Sequence, residues 1–182
     1  MNFTVQCRFR GVQQMAGRLE EIATPAAKLI SSRLNGLVPH TEFVLTDANG
    51  VAQGMRRADS EPAGPPRGYK RITSGFMTHW TARHSLGATN LTRHGVVIFI
   101  NGPSHRGDLD QFDRTVVHEL AHSVQLGTPN ARRRHIEYLA TFTARRPDTA
   151  VQRDYERLMD MREQQAENLE VLARQLPPSK GI

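Results

Sequence analysis

The sequence predicts an α+β fold: a small mixed or antiparallel sheet, a helical hairpin and a long C-terminal helix. Three observations predict it. Segments with strand-like alternation or short apolar runs, "FTVQCRF", "TEFVLTD" and "GVVIFIN", fall in the first hundred or so residues. From Asp108 onward the apolar residues recur at helical spacing almost to the C-terminus. The tripeptide Gly127-Thr128-Pro129 ends one such helix and starts the next, which folds the chain back on itself. Strands first and helices after is the α+β arrangement.

Taken in order, Phe3, Val5, Cys7 and Phe9 share one side of a first strand. Val12, Met15, Ala16, Leu19 and Ala23 follow helical spacing, and Pro25 is expected to separate that helix from a second one ending near Asn35-Gly36. "TEFVLTD" reads as a strand closed by the turn "DANG". Gly54 to Gly68, rich in Pro and Gly, reads as a loop. "YKRITSGFMTHWTA" and "GVVIFIN" read as strands, with "RHSLGATNLTRH" looping between them. Asp108 or Asp110 can cap the helix through "DLDQFDRTVVHELAHSVQLG", and Gly127 suits a left-handed C-terminal position. The helix from Pro129 should run to about Arg145. Asp148-Thr149 can cap the last one, residues 149–176, whose apolar seam (Val151, Tyr155, Leu158, Leu169, Leu172, Leu176) is interrupted by Arg162 and Gln165. Packing on the body explains that seam better than a dimeric coiled coil. All 182 residues are expected to form one domain.

Composition narrows the function. Hydrophobic content of 38% with 6% aromatics implies an aliphatic, alanine-rich core, and no apolar run approaches the ~18 residues that span a bilayer. The N-terminus lacks the apolar core of a signal peptide. With the single cysteine, Cys7, this points to a soluble protein of a reducing, cytoplasmic compartment. The net charge of +6 is almost all arginine, since Lys28, Lys70 and Lys180 are the only lysines among 24 basic residues. These arginines are dispersed and little interleaved with aromatics, so nucleic-acid binding is possible but not indicated.

The chemistry sits in "VHELAH". A helix puts residues four apart on one face, so His118 and His122 aim both imidazoles at one point, as two ligands of a metal ion must. Phe112, Val116, Val117, Leu120, Ala121 and Val124 supply the buried stripe that such a helix needs. A catalytic zinc takes three protein ligands and leaves the fourth position for water, whose pKa it lowers toward ~7. Glu119, adjacent to a ligand, is the natural general base for peptide hydrolysis.

A third ligand is needed. At ~1.5 Å per residue, His118 and His122 stand about 13 and 7 Å from the turn, while Glu137 and His135 stand about 12 and 9 Å back along the returning helix. Glu137 shares its side with the small residues Ala140, Thr141 and Ala144, and His135 shares its side with Tyr138 and Phe142. Glu137 is therefore the favoured ligand, with His135 or a more distant residue as alternatives. Asp113 and Thr141 are the candidates for groups that orient the histidines. His79, His84, His94, His105, Tyr138, Tyr155 and nearby arginines compete to stabilise an oxyanion. If "VVIFIN" lies at the sheet edge, a substrate could add to it as a strand.

These motifs resemble zincin-type zinc peptidases with a glutamate as third ligand, most of all the ImmA/IrrE group. The strand "VVIFIN" ending at Asn101, the helix "TVVHELAHSV" and the stretch "EYLATFTA" from Glu137 carry the resemblance, over roughly 50 residues. It implies a zincin-like fold, a Zn2+ site of His118, His122 and Glu137, Glu119 as catalytic base, and a protein or peptide substrate such as a repressor-like regulator. The rival expectations are a non-catalytic interaction module and a zinc amidase acting on a non-protein amide.

Overall fold

The computed structural model describes residues 1–6, 9–63, 85–143 and 148–179. It is α+β, with a four-stranded mixed sheet. Strands β1 (Asn2–Val5), β2 (Thr41–Thr46), β3 (Gly87–Leu91) and β4 (Val96–Asn101) lie in the order β1-β2-β4-β3. The first three in that order are mutually parallel, and β3 runs antiparallel to β4. Five α-helices accompany them among the described residues: α1 (Val12–Leu34), α2 (Ala48–Ala63), α3 (Leu109–Gly127), α4 (Pro129–Thr143) and α5 (Thr149–Leu169). No helix among these residues is long and apolar enough to cross a membrane.

The core divides at the sheet. Phe43 pairs with Ile98 and Leu45 with Ile100 across β2 and β4, and these side chains pack against α1 and α3. The intervening residues Val44, Val97 and Phe99 point to the other face and meet Val51, Ala52 and Ala58 of α2. Period-two alternation thus sends successive residues of one strand to two helical layers. Every residue of β4 is buried, as expected of a strand covered on both faces.

Several expectations change. Pro25 lies inside α1, which is continuous. An interior proline costs about 3 kcal/mol, and the unbroken stripe from Met15 through Ile22 and Ala26 to Ile30 offsets it, since each large aliphatic side chain contributes roughly 1.5–3 kcal/mol on burial. The helix ends where expected, with Asn35 left-handed at φ 48°. "DANG" is the start of α2: Asp47 accepts from the Gly50 N–H at 2.8 Å, and the helix runs through residues expected to loop, because Val51, Ala52, Met55 and Ala58 have a sheet face to cover. "GATNL" is strand β3 rather than loop, held by antiparallel pairing with β4. The expected strand in residues 69–82 lies outside the described residues.

Helices α3 and α4 follow one another directly, and the break between them is made by Thr128 rather than Gly127. Asp108 caps α3 by accepting from the Gln111 N–H at 2.9 Å. Gly127 stays helical, with Pro39 so close that a Cβ there would lie 3.1 Å from its ring. Thr128 makes the break in extended conformation and caps α4 by accepting from Ala131 N–H. Asp148 caps α5, whose α-helix ends at Leu169 and continues as a 3-10 helix over Glu170–Gln175.

Candidate metal centre

Helix α3 brings His118 and His122 together with their Nε2 atoms 3.0 Å apart. A carboxylate meets both: Glu163 of α5 lies 3.2 Å from His118 Nε2 and 3.1 Å from His122 Nε2. His118, His122 and Glu163 are the group among the described residues that could hold a metal ion. Ligand atoms held at ~2.0–2.1 Å in a tetrahedron stand about 3.3 Å from one another, so these spacings nearly match a metal site.

The outer nitrogens fix what the inner ones offer. His118 Nδ1 lies 2.9 Å from Glu170 Oε1, and His122 Nδ1 lies 2.9 Å from Gln125 Oε1. Gln125 spends its N–H groups on the Arg162 carbonyl and Gln165 Oε1, so its oxygen is left to accept from His122. Both imidazoles donate outward and turn lone pairs inward, toward a carboxylate that is also an acceptor. Three acceptors converging on one point share a cation, either protons or a metal ion. In the protonated form, burial opposes the charge on His118, but the Glu163 hydrogen bond and the Glu119 charge outweigh it and raise its pKa to about 9. His122 is raised in the same way, and its hydrogen-bonded histidines hold Glu163 well below the usual carboxylate range.

Glu119 sits on the same helix, 5% exposed and packed against β3. The Thr89 hydroxyl lies 2.6 Å from its Oε2, and a Cβ on Gly87 would come within 2.7 Å of its Oε1. A glycine at that position leaves the carboxylate its room. Burial pushes the Glu119 pKa up, while His122 and the Thr89 hydrogen bond pull it down.

Of the residues expected as ligands, the structure brings His118 and His122 together and leaves Glu137 apart from them. It is 56% exposed and lies 3.8 Å from Arg133 on its own helix. The rotation of α4 explains this. Arg132 donates to the carbonyls of Thr92 and Arg93 in the β3–β4 hairpin, and Ala131 and Ile136 turn inward, which leaves Glu137 facing solvent. The alternative His135 meets the Tyr155 hydroxyl instead. Glu163, a more distant residue, is the one brought to the pair.

The orienting groups are also different ones. Asp113 makes a buried ion pair with Arg18, and Thr141 donates to the Tyr138 carbonyl and accepts from Gln152. Glu170 and Gln125 occupy the outer nitrogens in their place. Of the residues considered for an oxyanion, His105 is buried between the Asn101 carbonyl and Thr115, Tyr138 stacks on Tyr155, and His94 is exposed. His79 and His84 lie outside the described residues. Strand β4 is interior, so the condition for a substrate to add to it is not met; β3, which carries Thr89, is outermost on that side among the described residues. Comparisons with family models, curated proteins and solved structures found no match.

Proposed function

We propose that the chain is a zinc-dependent metalloendopeptidase of the zincin type, with His118, His122 and Glu163 holding the metal and Glu119 as general base. The observation that carries this reading is the conjunction of a two-histidine, one-carboxylate cluster with a buried glutamate next in sequence to a ligand, hydrogen-bonded to Thr89. A closed structural zinc site needs no such base. Zinc bound there supplies a Lewis acid for the scissile carbonyl and a water acidified to about pKa 7.

Glu119 takes the proton of the attacking water and returns it to the leaving amine. Its burial favours the protonated carboxyl, and the Thr89 hydrogen bond favours the carboxylate. Glu163 is 51% exposed, so the cluster opens to solvent on the α5 side. An extended peptide would pair with β3, whose Thr89 already touches the base. By the resemblance to the ImmA/IrrE group, the substrate is an intracellular protein, such as a repressor-like regulator.

The test is zinc content and proteolysis of the purified full chain. The wild type is expected to bind one equivalent of zinc and cleave an unfolded protein substrate, and Glu119→Gln to keep the zinc and lose cleavage. Undiminished proteolysis by Glu119→Gln overturns the mechanism. Hydrolysis of small amides without peptide cleavage selects a zinc amidase instead.

A further inference from the structure

Helix α5 brings a second carboxylate to the same imidazole. Glu163 faces His118 Nε2, and Glu170 Oε1 lies 2.9 Å from Nδ1 of that ring. The two glutamates are seven residues apart, two helical turns and about 10.5 Å along the axis. Glu170 keeps helical dihedrals although the chain tightens to a 3-10 helix there, so both carboxylates stay on one face. The ring of His118 is spanned end to end by one helix.

We propose that Glu170 is the positioning residue for His118 as a metal ligand, an inference that rests on the reading of His118, His122 and Glu163 as the metal site. As an ionised carboxylate, Glu170 can only accept, so the Nδ1 atom carries the hydrogen and Nε2 presents its lone pair to the metal. The anion also makes the imidazole a stronger donor to the metal. His122 receives the same tautomer from a neutral partner, Gln125, which is itself anchored by the Arg162 carbonyl and Gln165 of α5. The two ligands therefore differ in charge support: only His118 has a carboxylate behind it. Helix α5 supplies Glu163, its 3-10 extension aims His118 through Glu170, and α5 anchors the Gln125 that aims His122.

The experiment measures zinc affinity of the metal-free full chain by competition with a chelator of known affinity. Glu170→Ala is expected to bind zinc roughly 10- to 100-fold more weakly than the wild type. Glu170→Gln keeps an acceptor oxygen without the charge and is expected to fall between the two. Glu167→Ala, which removes an exposed carboxylate from the same helix, is expected to bind like the wild type. The metal-free variants should keep the wild-type circular dichroism spectrum and a cooperative melt. Should Glu170→Ala fail to fold, Glu170→Gln carries the comparison alone. Wild-type affinity in the folded Glu170 variants overturns the proposal and leaves the metal site standing. A wild-type protein that binds no zinc overturns both.

Discussion

The hydroxyl of Thr89, on strand β3, lies 2.6 Å from Oε2 of Glu119, on the helix that carries both histidines. This bond ties the proposed base to the strand along which a substrate would lie. It also favours the ionised carboxylate, against the burial that favours the protonated one. Thr89→Val keeps the shape and removes the donor. The Glu119 pKa should then rise, so the acid limb of the kcat/KM profile should move to higher pH. A hydrogen bond to a charged group contributes about 1.5–3 kcal/mol, so activity below that limb should fall about tenfold or more. An unchanged pH profile would remove Thr89 from the mechanism.

The ligand assignment predicts opposite results for two glutamates. Glu163→Gln keeps the side-chain volume but replaces a charged oxygen ligand with a neutral amide, and it should lose stoichiometric zinc binding. Glu137→Gln removes only an exposed partner of Arg133 and should bind zinc like the wild type, with stability within about 0.5 kcal/mol. Zinc retained by Glu163→Gln and lost by Glu137→Gln would restore the sequence-based assignment.

The sequence pointed to Glu137 and passed over Glu163 for physical reasons. The α3 helix is specified locally: a cap at Asp108, a stripe from Phe112 to Val124, and a stop at Thr128. Strands β2 and β4 announce themselves by composition. Strand β3 does not, because "GATNL" becomes a strand only through pairing with β4. The distance from the turn placed Glu137 level with the histidines, but the rotation of α4 depends on Arg132 reaching hairpin carbonyls that no local pattern reveals. Glu163 stands 41 residues beyond His122, outside any hairpin geometry. Its trace in the sequence was the interruption of the α5 seam at Arg162 and Gln165. There the Arg162 carbonyl and Gln165 side chain hold Gln125, and fully buried Ala166 lets α5 come close.

Two histidines away from the cluster of His118, His122 and Glu163, the buried His105 and the half-buried His135, predict a dependence of stability on acid. Burial lowers the pKa of His105, and burial together with Arg162 and Arg132 lowers that of His135 to about 4. The unfolded chain binds protons at about pH 6.5, so below that pH it gains protons that the folded state refuses. The contribution of each histidine is present above pH 6.5 and is lost as pH falls, for His135 down to about 4. For His135 the span is worth at most on the order of 3 kcal/mol. Because Glu119 is raised and contributes in the opposite sense, the check is a difference. Stability of His135→Gln minus that of the wild type, from urea melts at successive pH values, should rise as pH falls from 6.5 to 4. A difference independent of pH would refute the assignment.

Arg18 and Asp113 tie α1 to the helix that carries both histidines through a bidentate ion pair, with Glu21 as a second partner of the guanidinium at 2.8 Å. Both paired residues are nearly buried, at 6% and 5% exposure, so each has given up water for the other. Removing Asp113 leaves Arg18 charged and desolvated with the more exposed Glu21 as its remaining partner, and breaking a buried pair in this way costs about 3–5 kcal/mol. Replacing both with apolar side chains removes the desolvation cost along with the attraction and is often neutral. Asp113→Leu should therefore lower stability by about 3–5 kcal/mol, whereas Arg18→Met with Asp113→Leu should recover most of that loss. Urea melts of the two singles and the double give the coupling. The double mutant should also retain zinc affinity, since Glu170 and Gln125, rather than Asp113, face the outer nitrogens of the histidines. Zinc affinity that falls in the fully folded double mutant would instead make Asp113 part of the site's support.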